Sequence, residues 1–451
     1  MAGAGLCHAQ SFSALLELAR SSEPTYLGVK TNVQAAHART VQAIGAMLPQ
    51  VTATASTHSN MRDYETRGTT FPAERDRFNS NSAQINLTQP IWRYANIVAW
   101  QQAEAVAAQA QHQLTGAEFD LVGKLATAWL DVLAARDGVL FADRQAAAVQ
   151  RQWEVIRRGV ELGANSPPQL EEAKTKYDQA MADAVAAQTE AQLKQAALEQ
   201  WVGPLRQSAS PVMRENAILA DLNKEKLETW LAAAEADNPS ILGALKAYEA
   251  ADAEMRKQFA GHQPTLDLVL SHNRNRQAVG GFPGQAGYDT RQNSAGLQLT
   301  IPILSSGTQS AKVDEAAAQK EKARLEIEAA RRAVALAVKQ AWFGWQTAYA
   351  RARAGEQTMN SARVAVESAR RGSDNGLKTE LDILQAELQG YAAQRDFRKG
   401  RYDQVAAYVK LKAAAATLSP GDVEALNSLF IAAPENIGSM AHRAISIESV
   451  Q

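Results

Sequence analysis

The stretch NLTQPIW at residues 86–92 and the stretch QLTIPIL at residues 298–304 read almost alike, with a proline at the same place in each. The interval from Pro90 to Pro302 recurs elsewhere in the chain. Trp129 and Trp342 are separated by almost the same interval, and so are Gly159 and Gly372. Landmarks that stay in register indicate an internal duplication, and this period is far longer than that of a solenoid repeat. The sequence therefore predicts two similar halves of one architecture.

The overall composition limits the possible classes of function. The 451 residues carry a formal net charge of −1, so no basic surface indicates nucleic-acid binding. Aromatic residues make up only 6% of the chain, and alanine supplies much of its hydrophobic fraction. This composition favours long helices that pack through small side chains. Cys7 is the single cysteine, so no internal disulfide can form.

Each half contains two segments in which apolar and polar residues alternate. The predicted strands cover residues 48–58 and 81–92 in the first half, and residues 264–273 and 293–304 in the second. A strand of about 10 residues with one apolar face is long enough to cross a bilayer at a tilt. Surface strands of a soluble sandwich are the alternative.

The strand ends next to the helices are marked by four prolines: Pro49, Pro90, Pro264 and Pro302. Proline lacks the amide donor of a sheet ladder, so it fits where a sheet stops and the chain turns into a helix. Three aromatic residues follow Pro90 closely: Trp92, Tyr94 and Trp100. They are the expected side chains of an aromatic girdle at the membrane interface.

Two proline-free stretches, 95–159 and 309–372, each predict a helix on the order of 95 Å long. A glycine-containing turn and a returning helix follow each of them, at 169–201 and at 379–418. The sequence thus predicts two long antiparallel helical hairpins.

The predicted division of the chain follows from these elements. We assign residues 1–9 to the remnant of a signal peptide, 10–203 to the first repeat, 204–222 to a linker, 223–419 to the second repeat and 420–451 to a C-terminal tail.

Four strands cannot close a membrane sheet on themselves. Open edges in hydrocarbon leave backbone groups unsatisfied, at a cost of several kcal/mol each. The smallest common closed barrels need about eight strands, and their interior is filled by side chains. Three copies of the chain would supply twelve strands and leave a lumen, so we expect a homotrimer.

The strand phrases, Trp129 and Trp342, and the stretch GLKTELDILQAELQGYAAQRDFRKGRYDQVAAYVKLKAAAATLS at 376–419 resemble the TolC-like outer-membrane factor family. The resemblance covers nearly all of residues 10–419. It implies a mainly α fold with a membrane β part, in which helical hairpins form a trimeric α-barrel and four strands per chain contribute to a shared 12-stranded β-barrel.

The same resemblance implies a cellular location and binding partners. The protein would lie in the outer membrane of a Gram-negative bacterium and extend into the periplasm. It would contact outer-membrane lipid and accept substrates from an inner-membrane pump, of ABC or RND type, through a periplasmic adaptor (membrane fusion) protein. Such a duct is passive and needs no cofactor.

A periplasmic gate is also implied by the resemblance. The family carries a phrase of the type T-x-x-D-V-L-D after the second hairpin turn, and this chain reads TELDILQ at 379–385. Asp382 matches the first carboxylate, Gln385 replaces the second, and Lys378 lies where some members carry a basic residue. Three copies of Asp382 around a threefold axis would repel one another and attract cations. The alternative is an Asp382 that only faces water on a helix.

Other classes of function find less support in the sequence. Walker, G-x-S-x-G and H-E-x-x-H motifs are absent, so no enzyme, cofactor site or metal site is predicted. The ending YVKLKAAAATLSPGDVEALN at 408–427 favours type I protein secretion, and multidrug efflux is the alternative. A periplasmic adaptor or scaffold, the alternative from another class, should show one hairpin, whereas this chain shows two.

Overall fold

The computed structural model describes residues 11–65, 74–205, 211–214, 222, 225–281 and 285–432. The predicted signal-peptide remnant at 1–9, much of the predicted linker and the tail after residue 432 lie outside this part of the chain. Within it, no helix combines the length and the apolar character that a membrane span requires.

Most of the described chain is helical. The helices are α1 (Phe12–Ser22), α2 (Pro24–Gly45), α3 (Tyr94–Glu161), α4 (Pro167–Val202), α5 (Leu227–Asp237), α6 (Pro239–Phe259), α7 (Thr308–Asp374), α8 (Glu380–Ala414) and α9 (Pro420–Ser428). The strands are β1 (Gln50–Tyr64), β2 (Glu74–Trp92), β3 (Pro211–Met213), β4 (Thr265–Val279), β5 (Ala286–Thr300) and β6 (Phe430–Ala432). The two predicted hairpins correspond to α3 with α4 and to α7 with α8.

The long strands form one antiparallel sheet in the order β1-β2-β4-β5. Its register joins the two halves of the sequence, because Leu87 of β2 pairs with both Val51 of β1 and Leu270 of β4. Strands β1 and β5 are the edges of this sheet, and each pairs on one side only within the described chain.

The strands differ from their predicted bounds. At the connecting ends they extend beyond the expected 48–58, 81–92, 264–273 and 293–304, and β5 stops at Thr300. The extensions carry polar residues on both faces, so no alternation of apolar and polar residues predicts them from the sequence. The ladder of backbone hydrogen bonds nevertheless continues through them. Residues 301–304 fall outside the strand, where Pro302 has no amide hydrogen to donate.

Two compact units divide the chain. One consists of Met1–Thr31, His112–Leu242 and Ala330–Gln451, and the other of Asn32–Gln111 and Gly243–Ala329. Each unit takes segments from both sequence repeats. The repeats and the compact units are therefore different divisions of the chain.

The core of the first unit gathers around Trp129 of α3. The indole is 3% exposed and lies between the rings of Phe12 and Phe430, with ring centroids 5.5 and 4.5 Å away. Phe430 belongs to β6, which pairs with β3. Segments that the sequence assigns to a linker and a separate tail are thus paired with each other. Trp342 and Trp345 of α7 are also buried and pack within the helices.

Candidate functional site

The second hairpin turn, between α7 and α8, contains the predicted gate residues. Gly376 has a φ of +70°, in the left-handed region that favours glycine. The amides of Leu377 and Lys378 both donate to the carbonyl oxygen of Gly372, at 2.7 and 3.1 Å. These two hydrogen bonds end α7 and direct the chain into α8.

Asp382 closes this turn as part of a helix cap. The amide and the hydroxyl of Thr379 each donate to Oδ2 of Asp382 at 2.8 Å, and the Asp382 amide donates to Thr379 Oγ1 at 3.3 Å. This reciprocal capping box satisfies amides that the first helical turn leaves unpaired. The hydrogen bonds from Thr379, with the charge of Lys378, hold the pKa of Asp382 below its usual value.

The three predicted gate residues lie close together along the chain. Lys378, Asp382 and Gln385 are all exposed, with Gln385 one helical turn beyond Asp382 in α8. Asp382 therefore faces solvent and also caps a helix. Its role in a ring of charges around a constriction stays a prediction.

The first hairpin turn, between α3 and α4, repeats this geometry. Gly163 has a φ of +72°, and the amides of Ala164 and Asn165 donate to the carbonyl oxygen of Gly159 at 2.7 and 3.1 Å. The Ser166 amide donates to Oε1 of Gln169 at 2.9 Å. When Gly159 is aligned with Gly372, Gln169 falls at the position of Asp382, so a neutral amide replaces the carboxylate there. Sequence analysis missed this correspondence, although the S/T-x-x-[Q/D] spacing after a glycine signals a capping box.

A buried carboxylate behind the second turn joins three helices. Glu387 of α8 is 9% exposed and accepts hydrogen bonds from Arg370 of α7 at 2.7 Å and from Arg151 of α3 at 3.3 Å. The hydrogen bond to Glu387 raises the pKa of the Arg370 guanidinium. Because Arg151 belongs to the first hairpin, this cluster ties the two hairpins together. The residues are distant in sequence and carry no local signal, so sequence analysis missed them.

Aromatic rings occupy the corresponding place behind the first turn. Trp153 of α3 stacks on Tyr177 of α4, with ring centroids 5.6 Å apart and planes at 8°. The Arg157 guanidinium lies over the Trp153 ring, 5.3 Å from its centroid. The two hairpins are therefore fastened by different chemistry.

The strand–helix junctions lie in the other unit. Three of the four prolines flank strands, since Pro49 and Pro264 precede β1 and β4 and Pro302 follows β5. Pro90 lies inside β2, where the register with β4 shifts. They thus lie where the ladder begins, ends or changes register, which is where a residue without an amide donor fits.

An ion pair that sequence analysis missed fixes the junction after β2. Arg93 donates to both carboxylate oxygens of Asp267, from Nε at 2.8 Å and from Nη2 at 2.6 Å. Asp267 is 5% exposed, so this two-pronged contact satisfies a buried charge. Of the neighbouring aromatic residues, Trp92 is half exposed and Tyr94 and Trp100 are half-buried. Their place in an interfacial girdle stays a prediction.

Comparison with known proteins assigns this architecture to a family. The profile of the family described as Outer membrane efflux protein matches residues 15–204 and 230–417. Outer membrane protein TolC of Vibrio cholerae serotype O1 is 27% identical over 420 residues, which cover 93% of this chain and 94% of that protein. Proteases secretion protein PrtF of Dickeya chrysanthemi is 26% identical over 372 residues, which cover 80% of each chain.

A solved structure supports the fold. The crystal structure of the Campylobacter jejuni CmeC outer membrane channel matches with a TM-score of 0.75 at 13% identity, covering 93% of this chain and 90% of that one. The expected resemblance and the expected fold class, long helical hairpins with a membrane β part, are confirmed. The chain belongs to the outer membrane efflux protein family, and it is an efflux or secretion channel of the Gram-negative outer membrane, not an enzyme.

Proposed function

We propose that this chain is the outer-membrane exit duct of a tripartite export system, which passes substrates from an inner-membrane pump and a periplasmic adaptor to the exterior. The observation that carries this proposal is the open four-stranded sheet with one apolar face. The exposed apolar side chains on that face include Val51, Ile85, Leu270, Leu297 and Leu299. The opposite face carries polar residues such as Thr52, Asn86 and Gln298. We assign the apolar face to lipid and the polar face to the lumen.

The sheet edges support assembly as a homotrimer. Strands β1 and β5 are 15 residues long, and each offers one unpaired edge within the described chain. In hydrocarbon such an edge costs several kcal/mol for each unsatisfied group, so β5 of one copy must pair with β1 of the next. Two copies give a barrel that side chains fill, whereas three give twelve strands and an open lumen.

The gate proposal concerns the hairpin turns. Three symmetry-related copies of Asp382 form an acidic ring that repels itself and attracts cations. Gln385 and Gln169 are neutral, so each chain contributes one carboxylate at these positions. The neighbouring Lys378 moderates the field of the ring, because its charge already lowers the pKa of Asp382 within one chain.

The choice between secretion and efflux rests on the relatives and on the end of the chain. Two relatives at about 25% identity are named for protease secretion: PrtF, and Alkaline protease secretion protein AprF of Pseudomonas aeruginosa. The stretch at 408–427 resembles secretion members, and within it Asp422 of α9 accepts hydrogen bonds from Tyr408 and Lys412 of α8. We therefore favour type I protein secretion, with multidrug efflux as the second candidate.

Fractionation tests the duct itself. The full chain should be recovered from the detergent-extracted outer membrane, and native mass spectrometry should give the mass of three chains. A monomer in the soluble periplasmic fraction would contradict the proposal. Deleting the gene then distinguishes protein secretion from multidrug efflux. Loss of secreted protein with unchanged drug sensitivity would support secretion. The reverse result would favour efflux.

Planar-bilayer recordings test the gate. Asp382→Asn should reduce the cation preference of the channel, because it removes the acidic ring. The matched control is Glu380→Gln, which removes an equally exposed acid from the same first turn of α8. Equal loss of selectivity in both variants would contradict a specific role for Asp382.

A further inference from the structure

The lipid-facing side of the sheet changes character along the strands. We use proximal for the ends next to the helices, and distal for the ends where β1 leads to β2 and β4 leads to β5. From proximal to distal, this face presents the following pairs of β4 and β5 residues: Leu266 with Leu299, Leu268 with Leu297, Leu270 with Ala295, His272 with Asn293, Arg274 with Arg291, and Arg276 with Asp289. Leucines therefore give way to arginines on one continuous surface.

The change occurs at the depth where hydrocarbon should end. The stretch of β4 from Leu266 to Arg274 corresponds to about 26 Å along a strand, and to less along the membrane normal because strands tilt. The apolar band of an outer-membrane barrel is about 25 Å tall. The arginines therefore lie at the distal border of the apolar band, at the level of lipid headgroups.

Two of these arginines oppose each other without a carboxylate of their own. Arg274 and Arg291 are direct cross-strand partners, and like charges in that position repel. The nearest acid, Asp289, forms its ion pair with Arg276 at 2.9 Å. Within the described chain, neither Arg274 nor Arg291 has a carboxylate within ion-pair distance, although both attract Asp289 from further away. Both side chains are exposed.

The excess of positive charge is confined to this face. Among the described side chains of the distal strand halves, the lipid-facing side carries five arginines and two aspartates: Arg75, Arg77, Arg274, Arg276, Arg291, Asp63 and Asp289. On the opposite face Arg62 is balanced by Asp76, at 2.8 Å, and lies over the ring of Phe78. General solubility of the strand ends would not require such a one-sided distribution.

We propose that Arg274, Arg276 and Arg291 bind the phosphate groups of anionic lipid in the outer leaflet. Guanidinium groups match phosphate oxygens in geometry and charge, and a phosphate relieves the repulsion between Arg274 and Arg291. An amphiphile fits better than a soluble anion, because the leucines of the proximal rows, which begin beyond the pair of His272 with Asn293, offer a wall for its acyl chains. The inference rests on the proposed function in one respect, namely that this face contacts lipid.

Binding of lipid A tests the site directly. The full chain is reconstituted in phosphatidylcholine nanodiscs, and retention of lipid A is compared with that of lipid A stripped of its phosphates. The wild type should bind the phosphorylated form at least about tenfold more tightly, since charge-assisted hydrogen bonds are lost with the phosphates. Inorganic phosphate at the same concentration should not compete, because it lacks acyl chains.

Variants locate the site. The double variant Arg274→Gln with Arg291→Gln should bind lipid A no better than its dephosphorylated form, while Arg274→Lys with Arg291→Lys should retain most of the binding. The matched control is Arg39→Gln with Arg353→Gln, which removes two exposed arginines from helices α2 and α7. The control should bind lipid A like the wild type.

Each outcome decides between the proposals. A wild-type trimer that binds both lipids equally overturns this inference alone, and equal competition by inorganic phosphate overturns the assignment to lipid. A chain that forms no trimer in the nanodisc contradicts the proposed function and this inference with it. If the glutamine variant fails to assemble, the comparison of the two lipids on the wild type still decides.

Discussion

The two hairpin ends have the same backbone and different contacts behind it. Gly163 and Gly376 adopt φ values of +72° and +70°, and each turn is closed by two amides that donate to one glycine carbonyl. Behind the first turn, Trp153 stacks on Tyr177. Behind the second turn, the contacts that hold the helices are ion pairs to a buried glutamate.

The difference extends to the residues in corresponding positions. With Gly159 aligned on Gly372, the counterparts of Trp153 and Tyr177 are Val366 and Gly390, and a Cβ on Gly390 would meet Val366 at 3.5 Å. The counterparts of Arg370 and Glu387 in the first hairpin are Arg157 and Lys174, two like charges that cannot pair. Duplication has therefore kept the turn, while the contacts between the helices have diverged. The first end depends on apolar stacking and the second on charge.

The largest expected effect is at the aromatic stack. Trp153→Ala should lower the free energy of local opening around Tyr177 by about 2–3 kcal/mol, below the usual cost for a fully buried tryptophan because Trp153 is only partly buried. Hydrogen–deuterium exchange of residues 150–180 should become roughly 30- to 150-fold faster, since about 1.4 kcal/mol corresponds to a factor of ten. High salt should leave the effect unchanged.

The matched control lies in the second hairpin. Val366→Ala should cost about 1 kcal/mol, because it removes two methyl groups from a contact that already involves small residues. An equal effect of the two substitutions would show that the hairpins do not differ in how they are fastened.

The second effect concerns the buried carboxylate. Glu387→Gln should lower the free energy of local opening around Glu387 by about 1–2 kcal/mol. This cost is smaller than that of breaking a fully buried ion pair, since the side chains of Arg151 and Arg370 are more than half exposed and can hydrate. Exchange of residues 380–390 should become about tenfold faster, and about 1 M NaCl should partly mimic the substitution in the wild type.

Lys174→Gln provides the control in the first hairpin. Lys174 occupies the position that corresponds to Glu387 but forms no ion pair among the described residues. Hydrogen exchange around Lys174 should therefore hardly change. If salt loosens both hairpins alike, charge is not what distinguishes them.

The left-handed glycine of each hairpin turn should contribute equally to stability, which is the third effect. Gly163→Ala and Gly376→Ala should each cost about 1 kcal/mol, because an L side chain is strained at these φ values. Apart from the glycine and its two chain neighbours, no residue places a heavy atom within 4 Å of the Cβ that either substitution would add, so backbone strain is the main cost. Thermal denaturation of the assembled protein should show the same shift for both variants. A clear difference between the shifts would contradict the shared turn.

The smallest effect depends on pH. Thr379 holds the pKa of Asp382 below its usual value, so the cap stabilises the turn above that value and is lost as the pH falls through the lowered one. Below about pH 4, hydrogen exchange at the start of α8 should therefore rise a few-fold more than intrinsic exchange rates predict. Asp382→Asn should remove this dependence, and the Ser166 amide, which the neutral Gln169 caps in the first turn, should show none. Equal acid sensitivity at both turns would point to another group.

The sequence predicts the helices and the proximal halves of the strands because these carry strong periodic patterns. Leucine recurs at every second position from Leu266 to Leu270, and proline marks the end of the pattern. The distal halves carry arginine where the proximal halves carry leucine, so both faces are polar and the periodic signal disappears. Only the hydrogen-bonded register reveals them.

Only those residues of the candidate site that belong to a local sequence pattern could be predicted. Asp382 and Lys378 are identified from a local phrase that resembles a family motif. Glu387 reaches across 236 residues to Arg151, and β3 pairs with β6 through three residues each. Contacts of that kind depend on tertiary packing, for which neither composition nor spacing gives a signal.

The position of Trp129 has a consequence for how the chain reaches its final form. Its indole is enclosed by Phe12 and by Phe430, which lie near opposite ends of the described sequence. A nascent or partly translocated chain lacks one wall of this core until residue 430 arrives. This part of the helical body therefore cannot close before residue 430 has been synthesised and translocated, so the earlier segments stay available for threading until then.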